Sequence, residues 1–380
     1  MDFDLSKDQL DIKKAAREFA EGEFPEIAEM CDREEKYPKE LVRKAAELGF
    51  VGISLPEEYG GSGFGYLEKC LVNEELWRVD PGLGSAVTAA TFGADMILLY
   101  GNNEQKRKYI PPLVKGDSVM GSAITEPNAG SDVSSIASAA VKAGNEFVIN
   151  GTKMFITNGT VGGYFAVICL TQPENPSRHR RHSVILVERD RQGFEATKIH
   201  NKMGIRASDT AELYFRDVRV PLDHLIGEEG KGFYQFMEFF NRTRIHVGAQ
   251  GIGIAQGAMD LAIKHARSRE QFGKPLSSFQ AIQFKIAEMA TRIQAARNLV
   301  HEAACRADKG KPDHKLTAMA KWYAGETAVR SADEALQIHG GYGFIGEYAI
   351  QRFYRDAKII EIYEGTKEIE KIIISRTLLG

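Results

Sequence analysis

The 380-residue chain, 43% hydrophobic and 27% charged, has the composition of a packed globular protein, which excludes a disulfide-stapled miniprotein and a disordered or fibrous chain. Its 49 basic and 52 acidic residues sum to −3, so no general attraction to nucleic acid or an anionic membrane is expected. Cys31, Cys70, Cys169 and Cys305 form neither a metal-ligand spacing nor a disulfide framework, the start Met1-Asp2-Phe3-Asp4 is acidic where a leader would be basic, and no apolar run is long enough to span a bilayer; these features predict a cytoplasmic protein.

In chain order, Ser6 reads as an N-cap before the helical face Leu10, Ile12, Ala15, Ala16 and Phe19. Residues 39–49 predict a second helix, residues 56–63 a glycine-rich turn, and residues 66–77 a third helix. From Val119 to Gly227 the texture is β-rich, with runs at 147–150, 164–171, 183–188 and 211–218. In the last of these Ala211, Leu213 and Phe215 alternate with Glu212, Tyr214 and Arg216, which marks one buried face. Residues 173–182 read as an exposed basic loop, in which His179 and His182 lack partners at useful spacing and are taken as solvated residues, not zinc ligands. After Gly232 the helical period returns in Ile282, Ile286, Met289 and Ile293, and again in Ala318, Trp322, Val329, Ala332 and Leu336. The expected architecture is α+β, with a helical domain at 1–118, a β domain at 119–227 and a second helical domain at 228–380.

Five segments could carry chemistry. Thr125-Glu126-Pro127-Asn128-Ala129-Gly130-Ser131-Asp132 gathers hydroxyls, backbone donors and glycine in one turn, which suits an anion or polar ring edge as well as an ordinary strand-to-loop turn. Phe155-Ile156-Thr157-Asn158-Gly159 offers a ring and a hydroxyl near a turn. Arg269 to Pro275 presents two cations and Phe272 at a helix break, compatible with a phosphate-bearing ligand or with simple helix-end electrostatics. Gln337-Ile338-His339-Gly340-Gly341-Tyr342-Gly343 allows close backbone approach to a ligand or neighbouring chain, or caps a helix. In Tyr363-Glu364-Gly365-Thr366 a carboxylate beside glycine is presented from a bend between helices, which makes Glu364 the candidate general base; a plain surface Glu is the alternative. No Ser/His/Asp nucleophile signature is present.

In this order and spacing, the five segments resemble the acyl-CoA dehydrogenase family of flavoproteins over essentially the whole chain. The resemblance implies a helical domain, a barrel-like middle sheet domain and a C-terminal four-helix bundle. It further implies FAD between the sheet and the C-terminal helices, and a base that removes the α-proton of an acyl-CoA thioester while hydride leaves Cβ for flavin N5. Glu364 falls on the base position. Ile124, Thr125, Gly130, Ser131, Phe155, Ile156 and Thr157 match positions around the flavin ring and ribityl-pyrophosphate, completed by Thr366 and Glu368. Arg269, Phe272, Gln280, Gln337, Gly340 and Gly341 match positions for the adenosine diphosphate part, largely of a neighbouring subunit in a dimer-of-dimers tetramer. Ser131, Asn241, Arg244 and Gly365 match CoA positions, with Asn241 standing where many members have Asp; Thr91 and Tyr363 belong to the expected acyl pocket.

The family's alternative base position holds Thr243, and the segment 84–95 has no Arg or Lys to meet a distal carboxylate, which disfavours a dicarboxylate. Phe155 stands where some members have Trp. Asp95 has no account from the sequence. The expectation is an FAD-dependent dehydrogenation of a short, branched or cyclic acyl-CoA, with electrons passing to an electron-transferring flavoprotein. An acyl-CoA oxidase using the same residues, and a non-catalytic acyl-CoA-binding protein of the same fold, are the alternatives.

Overall fold

The computed structural model describes residues 4–380. Helix α1 (Lys7–Glu23) opens with the capping expected of Ser6: its side chain accepts from the Gln9 N–H, and Gln9 reaches back to the Ser6 N–H at 2.9 Å. Its buried face is Ala16, Phe19 and Ala20, whereas Leu10 is exposed, so the predicted apolar stripe begins a turn too early. Next come α2 (Ala28–Arg33), α3 (Lys39–Glu47), α4 (Tyr66–Val79), α5 (Pro81–Thr88), α6 (Ala94–Tyr100) and α7 (Asn103–Val114). Asp80 caps α5 through the Leu83 N–H at 3.0 Å and Pro81 begins it, a pairing that pre-sets the helix start.

The middle segment forms β1 (Met120–Ala123), β2 (Ala139–Ala143), β3 (Glu146–Thr157), β4 (Tyr164–Leu170), β5 (His182–Glu188), β6 (Phe194–Lys198), β7 (Thr210–Pro221) and β8 (Leu225–Ile226). The sheet order is β6-β7-β3-β2-β4-β5-β8, with β1 parallel to β4. The run predicted at 147–150 is the start of a longer β3, which continues through two register shifts against β7. The second shift, between Lys153 and Ile156, leaves Phe155 at φ 60 with its ring turned outward. Ala211, Leu213 and Phe215 are buried as their alternation requires. His182 corrects the loop reading: it begins β5, is 1% exposed, and its Nε2 lies 3.0 Å from the Ile136 carbonyl. His179 is exposed but stacks on Phe233, with ring centroids 4.3 Å apart.

Three long helices follow, α8 (Gly232–Ser268), α9 (Gln280–Asp308) and α10 (His314–His339), then α11 (Ile350–Ala357) and α12 (Lys367–Leu379). Helix α10 packs along α8 and α9 and against α12. Its inner face carries Ala320, Ala324, Ala328, Ala332 and Ala335, small side chains that let the helices approach closely. The stripe read through Trp322, Val329 and Leu336 lies at the edge of that face, half-buried. One apolar core joins Phe19, Leu41 and Trp77 of the first helices to Ile252, Met289 and Val300 of the last. The two helical segments therefore share a core, while the sheet has its own in Phe165, Val167, Ile185 and Leu213. Among the described residues no helix is long and apolar enough to cross a membrane.

Candidate active site

Glu364 sits on the bend between a 3₁₀ turn (Lys358–Glu361) and α12, whose N-cap is Thr366. Its φ is 54 and that of Gly365 is 105, two successive left-handed residues that swing the carboxylate out of the helix path. A Cβ on Gly365 would collide with Glu370 Oε1 and the Arg244 guanidinium, so only glycine fits.

Two cations grip this bend. Arg244 Nε of α8 donates to the Glu364 carbonyl at 2.9 Å and lies 3.0 Å from Glu370 Oε1; Lys321 Nζ of α10 donates to the Gly365 carbonyl. Lys321 and Glu370 are fully buried, and Arg244 nearly so. Glu364 Oε2 is shielded from solvent and has no hydrogen-bond partner. Burial pushes the Glu364 carboxyl above the usual carboxylate range, while the Thr243 hydroxyl and the charges of Lys321, Arg244 and Lys69 pull it back. Burial likewise pushes Lys321 down and Glu370 up, each opposed by the charges of the other and by Glu364 or Arg244.

On the bend itself Tyr363 hydrogen-bonds to Gln250; of the other residues expected in the acyl pocket, Thr91 is buried in a bridge with Met120, and its neighbour Phe92 packs on Phe239 with ring centroids 5.5 Å apart. Asn241 is half-buried, its Oδ1 3.4 Å from Arg244 Nη1. Asp95 lies 3.9 Å from Lys69 and lines a cavity of about 260 Å³ with Tyr66 and Arg242. Sequence reasoning missed Lys321 and Glu370, which sit on helices without a local motif and reach the bend only through packing, and Lys69, whose charge acts on Glu364 from α4.

The sheet contributes a second group. The Met154 N–H donates to the Thr125 carbonyl at 2.9 Å, which ties the Ile124–Asp132 loop to the Phe155–Asn158 segment. Phe155 is 63% exposed, Ile156 is buried with its side chain in the sheet core, and Thr157 is half-buried. Gly130 and Ser131 are exposed, and a Cβ on Gly130 would meet nothing within 4 Å. Glu368 is exposed in the first turn of α12. A third group lies at the ends of α8 and α10. Arg269 lies over the Tyr342 ring at 5.4 Å, and Phe272, Gln280, Gln337, Gly340 and Gly341 are all exposed there or on the adjoining start of α9. An outward aromatic ring, open glycines and an unpartnered carboxylate oxygen fit a flat, phosphate-bearing cofactor of the flavin type. Among the described residues no three His, Cys, Asp or Glu side chains converge as a metal site.

This three-part chain, with a helical segment on either side of a sheet and a carboxylate on a bend held by the last helices, belongs to the acyl-CoA dehydrogenase family. Profiles of the acyl-CoA dehydrogenase N-terminal, middle and C-terminal domains match residues 6–117, 121–218 and 230–379. Within it, the chain is 47% identical to acryloyl-CoA reductase (NADH) of Anaerotignum propionicum, over 100% of this chain and 96% of that one. Butyryl-CoA dehydrogenase of Megasphaera elsdenii superposes with a TM-score of 0.96 at 40% identity, covering 100% of both chains. A chain in a structure described as the electron transferring flavoprotein of Acidaminococcus fermentans superposes at 0.97 with 43% identity, again over 100% of both. The protein is an oxidoreductase of the acyl-CoA dehydrogenase type with the family's three-domain fold.

Proposed function

We propose that this enzyme catalyses the α,β-dehydrogenation of a short, branched or cyclic acyl-CoA thioester, with Glu364 as the base. The observation that carries it is the Glu364 carboxylate, shielded and unpartnered at Oε2 on a bend that two buried cations fix. FAD, when bound, supplies the hydride acceptor. Ile124, Thr125, Gly130, Ser131, Phe155, Ile156 and Thr157, with Thr366 and Glu368, would hold its ring and ribityl end; Arg269, Phe272, Gln280, Gln337, Gly340 and Gly341 would hold the adenosine diphosphate end of a neighbouring copy. Glu364 takes the α-proton, and its backbone N–H donates to the thioester oxygen, where charge grows in the transition state. Ser131, Asn241, Arg244 and Gly365 line the CoA path, and Thr91 and Tyr363 the acyl pocket. Lys69 is already answered by Asp95 at 3.9 Å, which supports the reading that disfavours a dicarboxylate.

Exposed Phe272 and Phe344, 92% and 89% accessible, support burial of this surface in a tetramer. An electron-transferring flavoprotein is the proposed acceptor, domain boundaries fall near 118 and 227, and the cytoplasm is the proposed location. Reduction of a short 2-enoyl-CoA is the second reading, favoured by the reductase named among the relatives. Anaerobic visible-absorbance titration with straight, branched and cyclic acyl-CoA esters tests the main reading: bleaching of bound flavin establishes the half-reaction. Reoxidation of the dithionite-reduced protein by acryloyl-CoA or crotonyl-CoA measures the reverse. A colourless protein that takes up no FAD would sink both.

A further inference from the structure

The bend that carries Glu364 is held from beneath by groups that no hydrogen-bonding motif in the sequence marks. Arg244 binds the carbonyl of Glu364 and Lys321 the carbonyl of the next residue, Gly365. Both residues have positive φ, 54 and 105, and a non-glycine residue in that region is costly unless its surroundings over-determine it. Two cations on successive carbonyls do so, because each lost contact would leave a buried charge unsatisfied. One of their two charges is answered by Glu370, fully buried one turn into α12, whose two oxygens make no hydrogen bond of ordinary geometry although Arg244 Nε stands 3.0 Å away. Glu370 thus acts as a counter-charge more than as a hydrogen-bond acceptor.

We propose that Lys321 and Glu370 are positioning residues for the base: Lys321 and Arg244 pin the Glu364–Gly365 carbonyls, and Glu370 supplies the buried negative charge that keeps both cations in place. The inference rests on Glu364 being the base. With Glu364 ionised, the cluster holds two positive and two negative charges and is neutral, a favourable arrangement in a site shielded from water. Protonating Glu364, or removing one member, breaks that balance. The groups that act on Glu364 are Thr243 and Arg244 from α8, Lys321 from α10, Glu370 from α12, Lys69 from α4 and the neighbouring Tyr363; Glu361 bears on Lys321.

The test is the pH dependence of flavin reduction in the FAD-loaded full chain, by anaerobic stopped flow with butyryl-CoA. Lys321→Met removes a cation and a carbonyl clamp, so the limiting rate should fall about 10- to 100-fold with little change in the apparent Kd for butyryl-CoA. Its acid limb should move to higher pH, because ionised Glu364 loses an attraction. Glu370→Gln keeps shape and removes an anion, so its limb should move to lower pH. Opposite shifts, each about 0.5–1 unit, are a signature that general loss of stability does not produce. Should Lys321→Met fail to fold, the direction of the Glu370→Gln limb decides alone. An unshifted limb in Glu370→Gln, or shifts of the same sign in both variants, overturns the inference. Glu364→Gln separates the two claims: if that variant still reduces flavin at the wild-type rate, the base assignment fails; if it is dead while the limb of Glu370→Gln stays put, the base stands and only the clamp falls.

Discussion

Lys153, fully buried in β3, places its ammonium 2.8 Å from Glu126 Oε1 and 3.1 Å from the Ile124 carbonyl. The same Oε1 also accepts the Ser138 N–H at 2.9 Å, and Oε2 accepts the Ala137 N–H at 2.8 Å. One buried ion pair therefore anchors the loop that begins at Ile124 and runs to Asp132, the loop proposed to hold the flavin ring. Burial pushes Lys153 down and the Lys153 charge pulls Glu126 below its ordinary range, the pattern of a pair that pays desolvation and recovers it only by staying together.

Lys153→Met leaves Glu126 as an unpaired buried charge and should cost about 3–5 kcal/mol. The same variant should purify with less FAD, because the loop loses its tether to β3. Urea unfolding and the flavin-to-protein absorbance ratio check both effects. Full flavin occupancy with unchanged stability would show that the loop is held by something else.

Glu364→Gln keeps the size of the side chain and the backbone contacts to Arg244 and Lys321, and removes only the proton acceptor. Flavin reduction should slow by roughly 10²–10⁴-fold or more, with FAD content and acyl-CoA affinity retained. Rapid mixing with butyryl-CoA under nitrogen measures the rate. Retained reduction would falsify the assignment of the base.

What was legible in the sequence was whatever a local pattern encodes. The Ser6 cap, the alternation through Ala211 and Phe215, and the carboxylate-glycine bend at Glu364 all follow from neighbours within a few residues. Helices α5, α6 and α7 went unread because their buried faces belong to cores assembled from distant segments, and Pro111 and Pro112 inside α7 argue locally against a helix. His182 looked like a loop residue from its basic neighbours, yet strand pairing with Leu170 buries it. Lys321 and Glu370 were invisible for a similar reason: a charged residue on a helix reads as solvated unless the partner that buries it is known, and that partner lies 44 residues away for Lys321 and on α8 for Glu370.

Arg269→Ala addresses the third group. Arg269 caps α8 and lies half-buried over the exposed Tyr342 ring, a cation–π contact whose removal should cost little stability. If this surface holds the adenosine diphosphate of FAD from a neighbouring copy, the variant should lose flavin on gel filtration while its far-ultraviolet circular dichroism is unchanged. Full occupancy through repeated filtration would remove Arg269 from the cofactor site.

Asp356 offers a prediction about stability and pH that is independent of catalysis. It is 1% exposed in α11, accepts the Ile205 N–H at 2.6 Å, and sits near Asp80, so burial and then the like charge raise its carboxyl to about 7. A folded-state value above the unfolded one means that the folded chain holds a proton that the unfolded chain releases. Stability is then full below the unfolded value of about 4, declines as pH rises toward 7, and stays reduced above it. Asp356→Asn keeps an oxygen for the Ile205 N–H and cannot ionise, so it escapes that decline. The variant should match the wild type at pH 4 and exceed it at pH 8 by about 1–3 kcal/mol, read as a Tm several degrees higher. Thermal unfolding of both proteins at the two pH values decides it. An equal Tm difference at pH 4 and pH 8 would mean that Asp356 is ionised in the fold, with Arg355 and the nearby Arg352 outweighing its burial.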